Sequence, residues 1–145
     1  MIYAAVDIWS AGVIFLSILT GRYPFFKATD DNMAMMQMIS LFGMDNIRKV
    51  ALKHGESLIC SHEKKQLDLK ETCKMLRKNA IKGSLSSKSR HSIENESLTN
   101  TNNQKKLVEE FPDSAYDLLK KLLELDCDKR ISADNLLKHS FFTSI

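Results

Sequence analysis

The 145-residue sequence has no apolar run long enough to cross a bilayer. Its greasiest stretch, Val6 to Leu19, falls short of the ~20 residues a spanning helix needs, and Asp7 stands at its start. No basic region precedes that stretch and no small-residue cleavage pattern follows it, so nothing reads as a secretory leader. Cysteine is scarce. Cys60, Cys73 and Cys127 are odd in number and irregularly spaced, which offers no disulfide framework and fits a reducing compartment. Cys60, His62 and Cys73 would supply three ligands to a metal, but no fourth stands at a recognisable spacing, and buried or idle thiols are the plainer reading. Asn95-Glu96-Ser97 is a formal glycosylation acceptor, expected to stay unmodified in that compartment. Nor is there a strong excess of one charge: the net charge of +3 is spread along the chain and argues against a dedicated nucleic-acid binder. No internal repeat is visible. A hydrophobic fraction of 43% and a charged fraction of 27% are those of an ordinary globular domain with one moderate core. The expectation is a soluble intracellular protein with no membrane and no direct nucleic-acid contact.

What is present is helical. A first helix is expected from about Ala4 to Leu19, ending near Gly21 and Pro24. It is apolar almost all round, and a helix without a polar face belongs in the middle of a larger structure, packed on several sides. The turn Gly21-Arg22-Tyr23-Pro24-Phe25-Phe26 should plug the base of the core with its aromatics. Thr29 or Asp30 caps a second, methionine-rich helix that stops at Gly43. That helix is either gap-filling core or an adaptable binding surface. Asp45 caps a short third helix burying Ile47, Val50 and Ala51. Asp68 with Glu71 opens a fourth, with Leu69, Cys73 and Leu76 on one face and Lys70, Lys74, Arg77 and Lys78 on a solvated one.

From Gly83 to Lys106 serine, asparagine, threonine and lysine dominate without any period, and this segment is expected to be a disordered insertion. Any modification of its serines, Ser87 and Ser89 among them, stays open. The organisation is therefore all-α, with helices over 1–82, the insertion over 83–106, and two closing helices over 107–145. Asp113 or Ser114 caps the first of these, which carries Leu118, Leu119, Leu122 and Leu123. Ser132 opens the last, with Leu136 and Leu137 inward.

Two segments carry a family resemblance. Val6-Asp7-Ile8-Trp9-Ser10-Ala11-Gly12-Val13-Ile14 with Gly21-Arg22-Tyr23-Pro24-Phe25 resembles the D-x-W-S-x-G helix of eukaryotic protein kinases and its following loop. Leu122-Leu123-Glu124-Leu125-Asp126 through Arg130-Ile131-Ser132-Ala133 to Phe142 resembles the last two helices of the same C-lobe. The runs Ser10–Ser17, Gly21–Asp31 and Ser57-Leu58-Ile59-Cys60 are similar to the cell-division-cycle-seven kinases. The resemblance implies a fold, the C-terminal half of a kinase C-lobe. It also implies a family reaction: phosphorylation of protein serine and threonine by ATP and magnesium, in the nucleus, at replication origins, with an activating regulatory subunit.

Roles carry over only at matching positions. Asp7 matches the aspartate that anchors the catalytic loop through backbone N–H groups. Read alone, it is an acid favoured at a helix start. Ile14 and Ile18 match the residues on which a stacked hydrophobic column rests, and core packing explains them equally. Trp9 is expected to pack under a segment ahead of Met1, and Gly12 to permit close backbone approach. Arg130 matches the partner of a buried activation-segment glutamate that would lie upstream; a lone buried charge costs about 3–5 kcal/mol unless its site opens to water, so the isolated chain is expected to be poorly stable. Ser17 stands where kinases selecting basic sites place a glutamate, in keeping with the acidic-site preference the resemblance implies.

The sequence contains no G-x-G-x-x-G, H-R-D, D-F-G or A-P-E motif. No catalytic, cofactor-binding or metal-binding residue is therefore expected in this chain, and alone it should be inert. Three readings follow: a fragment of an active kinase that works with its missing N-terminal part, a standalone module binding the regulatory subunit or a substrate, or an unrelated helical interaction protein.

Overall fold

A computed structural model describes residues 2–61, 63–88 and 111–143. All regular structure among them is helical, in seven helices: α1 Ile2–Thr20, α2 Asp31–Phe42, α3 Met44–Lys53, α4 Leu69–Lys88, α5 Asp113–Leu122, α6 Ala133–Leu137 and α7 Ser140–Thr143. The expected all-α class is what the chain adopts. None of these helices is long and apolar enough to cross a membrane.

The helix boundaries follow local chemistry. Asp30 caps α2 by accepting a bond from the Met33 N–H at 2.8 Å. Asp68 does the same for α4 through the Glu71 N–H at 2.9 Å, and the Ser132 hydroxyl for α6 through Asn135. Gly43 ends α2 at φ 79° and at once serves as the N-cap of α3, so Asp45 sits inside the first turn and is not the cap. A glycine is required there twice over, because a Cβ would also lie 2.5 Å from the Gln66 nitrogen. Pro112, not Asp113 or Ser114, holds the N-cap position of α5, its fixed φ of −62° suiting the entry to a helix.

The core forms where α1 meets α4 and α5. Leu16 and Leu19 of α1, Cys73 of α4, and Ala115 and Leu119 of α5 are fully buried, with Leu41, Phe42 and Leu69 joining them. Burying each large aliphatic side chain contributes about 1.5–3 kcal/mol. Thr20 is buried at the end of α1 because its hydroxyl donates to the Leu16 carbonyl at 2.7 Å. Burial pushes the Cys73 thiol up to about 11, so it is a core residue and not a ready thiolate ligand. This removes one member of the Cys60–His62–Cys73 set; His62 lies outside the described residues.

Several expectations change. The helix α4 runs on to Lys88, into the segment read as an insertion; positions 89–106 lie outside the described residues. Its basic side is not simply solvated. Arg77 donates to the Ile18 carbonyl at 3.2 Å, where the C-terminal end of α1 concentrates negative partial charge, and lies over the Phe111 ring. Lys70 pairs with Asp113 at 2.8 Å. These contacts make a seam between α4 and its neighbours. Phe25 and Phe26 pack on the core, whereas Tyr23 is 88% exposed and plugs nothing. Leu137 faces solvent, since α6 is only five residues long and cannot turn both leucines inward.

Candidate functional site

The two ends of the kinase-like sequence meet at Arg130. Its guanidinium lies over the Trp9 ring, 4.9 Å from the centroid. It donates to the carbonyls of Ala5 at 2.6 Å, Glu124 at 2.8 Å and Leu125 at 3.4 Å. The cation therefore ties the start of α1 to the loop after α5. Desolvation lowers its pKa, yet an arginine stays protonated, and the three carbonyls satisfy it without a carboxylate. The guanidinium is also half-buried and so reaches water, and the penalty of a fully enclosed lone charge does not apply to it in this chain. Trp9 is likewise packed within the chain, between Arg130 and Phe42, whose ring centroid is 5.7 Å away.

The Arg130 loop is fixed from the other side by Lys53, at the last position of α3. Its ammonium touches Asp126 Oδ1 and Asp128 Oδ2, each at 2.6 Å. Asp126 is buried and also accepts the Asp128 N–H at 3.2 Å, while its carbonyl accepts from Lys129 and Arg130. The Lys53 ammonium holds both carboxyls below their usual range, and they in turn raise Lys53. Asp126, Cys127 and Asp128 are the one group of potential metal ligands among the described residues, with ligand atoms within 4.8 Å of one another. A divalent cation would have to displace the ammonium that both carboxylates already bind, so this donor set does not fit magnesium.

Behind this loop, Asp117 of α5 accepts from His139 Nε2 at 2.9 Å and from Lys121 at 2.7 Å. The His139 Nδ1 accepts the Phe141 N–H at 3.2 Å, which assigns the ring proton to Nε2. The cluster locks α7 onto α5. Lys121 is the first cause of the lowered Asp117 pKa. The sequence reading missed both clusters, because Lys53 lies 73 residues from Asp126 and His139 lies 22 from Asp117.

The remaining candidate positions lie along α1. Gly12 is buried against α5 and the residue after it: a Cβ there would stand 2.8 Å from Leu123 Cδ2 and 2.9 Å from Leu122 Cβ. On the opposite side Ile14 is 59% exposed, Ile18 54% and Val6 53%. Asp7 is exposed on the same helix, and its carboxylate has no partner among the described residues. The structure thus brings Trp9, Gly12 and Arg130 into packed contacts, but leaves Asp7, Ile14 and Ile18 facing outward. An isoleucine pair four apart on an open helix side is an apolar surface without a cover.

Residues 1–142 match the family model described as protein kinase domain. The chain belongs to that family, and the seven helices among the described residues are those of the C-terminal half of the C-lobe. Within the family its likeness is to the Cdc7 kinases. It is 37% identical over 158 residues to a non-specific serine/threonine protein kinase Cdc7 of Drosophila melanogaster, covering 97% of this chain and 23% of the relative. The cell division cycle 7-related protein kinase of Homo sapiens is 35% identical over 176 residues, covering 95% and 31%. The cell cycle serine/threonine-protein kinase hsk1 of Schizosaccharomyces pombe is 40% identical over 136 residues, covering 94% and 24%. The chain spans between 23% and 31% of the length of these relatives.

Proposed function

We propose that this chain is the helical base of a cell-cycle serine/threonine kinase, supplying the scaffold on which phosphoryl transfer is organised and none of the transferring groups. The observation that carries this reading is the outward side of α1, where Asp7, Ile14 and Ile18 stand exposed beside a well-packed core. In a complete kinase the Asp7 carboxylate accepts N–H bonds from the catalytic loop, and Ile14 and Ile18 support the hydrophobic column under the nucleotide. Rigid positioning of this kind favours reaction because phosphoryl transfer depends on alignment and preorganised charge. Trp9 and Arg130 hold the entry to α1, and with it the end of the activation segment.

In this reading ATP and magnesium are bound by kinase motifs that these 145 residues do not encode, and the described acids offer magnesium no open site. The complete enzyme phosphorylates serine and threonine of protein substrates, under an activating subunit, in the nucleus during replication. Joining the chain to the N-terminal portion of a Cdc7 relative tests this. A joined protein that phosphorylates a serine substrate supports the scaffold role. Failure to restore transfer, with the helical content intact, would contradict it.

A further inference from the structure

We propose that the cleft between α3 and α5 is a docking site for an acidic peptide segment carrying a central apolar side chain. The cleft has a volume of about 560 Å³ and no α1 residue lines it, so it is separate from the face assigned above to the rest of a kinase. That volume is of the size that accommodates a few side chains.

Its charge is unbalanced in a specific way. The wall contains five lysines against three acids, Asp117, Glu124 and Asp126, a surplus of two positive charges. All three acids are already engaged. Asp126 is held by Lys53, Asp117 by Lys121 and His139, and a Glu124 oxygen accepts the Asp126 N–H at 3.1 Å. Lys49 and Lys120 are exposed and have no partner among the described residues. They stand on the two helices that form the sides of the cleft, one on α3 and one on α5. The apolar part of the lining comes from Phe42, Val50, Leu69, Leu123 and Leu125, of which Val50 and Leu125 are half-buried and the other three buried.

Two free ammonium groups on different helices, beside an apolar floor of Val50 and Leu125, select a ligand with carboxylates on both sides of a hydrophobic residue. The contacts at the rim would steer approach and set specificity, and the floor would hold the anchor. A nucleic acid carries the charge on phosphates and offers flat bases in place of an aliphatic side chain, and the oligonucleotide arm of the test separates the two.

The test uses the 145-residue chain and a fluorescein-labelled peptide with a leucine flanked on each side by two glutamates. The expected result is salt-sensitive binding, weakened about tenfold by the double substitution Lys49→Glu, Lys120→Glu. Replacing the peptide leucine by serine should weaken it as well. Both lysines are exposed, so the variant should keep its circular dichroism spectrum and melting point. As a second readout, Val50→Asp should abolish binding from the floor. Equal binding of a glutamine-for-glutamate peptide, or no effect of the lysine changes, would overturn the proposal. So would equal competition by a single-stranded oligonucleotide, or amide shifts that map to Ile14 and Ile18 instead of Val50 and Lys120.

Discussion

Arg130 stacks on Trp9 at 4.9 Å although the two residues are separated by most of the chain, and the same guanidinium donates to three backbone carbonyls. The start of α1 and the loop following α5 are thus one unit. A cation over an indole contributes about 0.5–2 kcal/mol, and hydrogen bonds from a charged donor about 1.5–3 kcal/mol each before the cost of desolvation.

Arg130→Ala should therefore destabilise the chain by about 2–4 kcal/mol, because it removes the stack and the guanidinium's hydrogen bonds. Arg130→Lys should recover only part, since an ammonium cannot stack flat and serve three carbonyls together. Urea unfolding followed by Trp9 fluorescence measures both. Equal stability of the alanine variant and the parent would contradict the role given to Arg130.

Gly12→Ala is a second test. Alanine favours a helix interior by about 1 kcal/mol, but its Cβ would meet Leu122 Cβ at 2.9 Å, and that atom cannot move without the α5 backbone. Overpacking costs about 1–3 kcal/mol, so a net loss is expected in thermal melts. A higher melting point would mean that α1 and α5 are not in close approach.

The Lys53 clamp predicts a pH dependence. Asp126 and Asp128 have depressed folded pKa values, caused first by Lys53. Their stabilisation is present above the unfolded carboxylate pKa, about 4, and is lost as pH falls through the folded value. Lys53 is raised, so its share is complete below its unfolded pKa and disappears only as pH rises through the higher folded one. Lys53→Met should lower stability at neutral pH and flatten its fall toward pH 2, with Asp113 and Asp117 supplying the residual slope. Parallel stability curves for parent and variant would show that the clamp contributes nothing.

The exposed side of α1 should behave differently from the core. Ile14→Gln with Ile18→Gln should change the chain's own stability by no more than about 0.5 kcal/mol, because neither side chain is enclosed. On the proposed scaffold role, the same pair should abolish phosphorylation by a joined kinase. A loss above about 2 kcal/mol in the isolated chain would place these residues in its internal packing.

Much of this architecture can be read from local chemistry. Asp30, Asp68 and Ser132 are capping residues that declare themselves by type and position, and Gly43 marks a helix end because it alone tolerates the φ required. The apolar period of α1 identifies a helix but not its two sides: Leu16 and Ile18 are equally hydrophobic, yet one is buried and the other open. Only the position of α4 and α5 decides between them. Asp45 and Gly43 compete for one capping position, and the preceding helix end settles it in favour of glycine. The Arg130 carbonyl cage and the Lys53 clamp were illegible because each joins residues far apart in sequence through groups, backbone oxygens above all, that carry no sequence signature.

The most direct measurement is transfer of the terminal phosphate of radiolabelled ATP to a serine substrate, by the purified chain and by the chain joined to the N-terminal portion of a Cdc7 relative. The account predicts no transfer by the chain alone, transfer by the joined protein, and a kcat reduced by Asp7→Ala with KM little changed. Transfer by the unjoined chain, or a joined enzyme indifferent to Asp7→Ala, would contradict it.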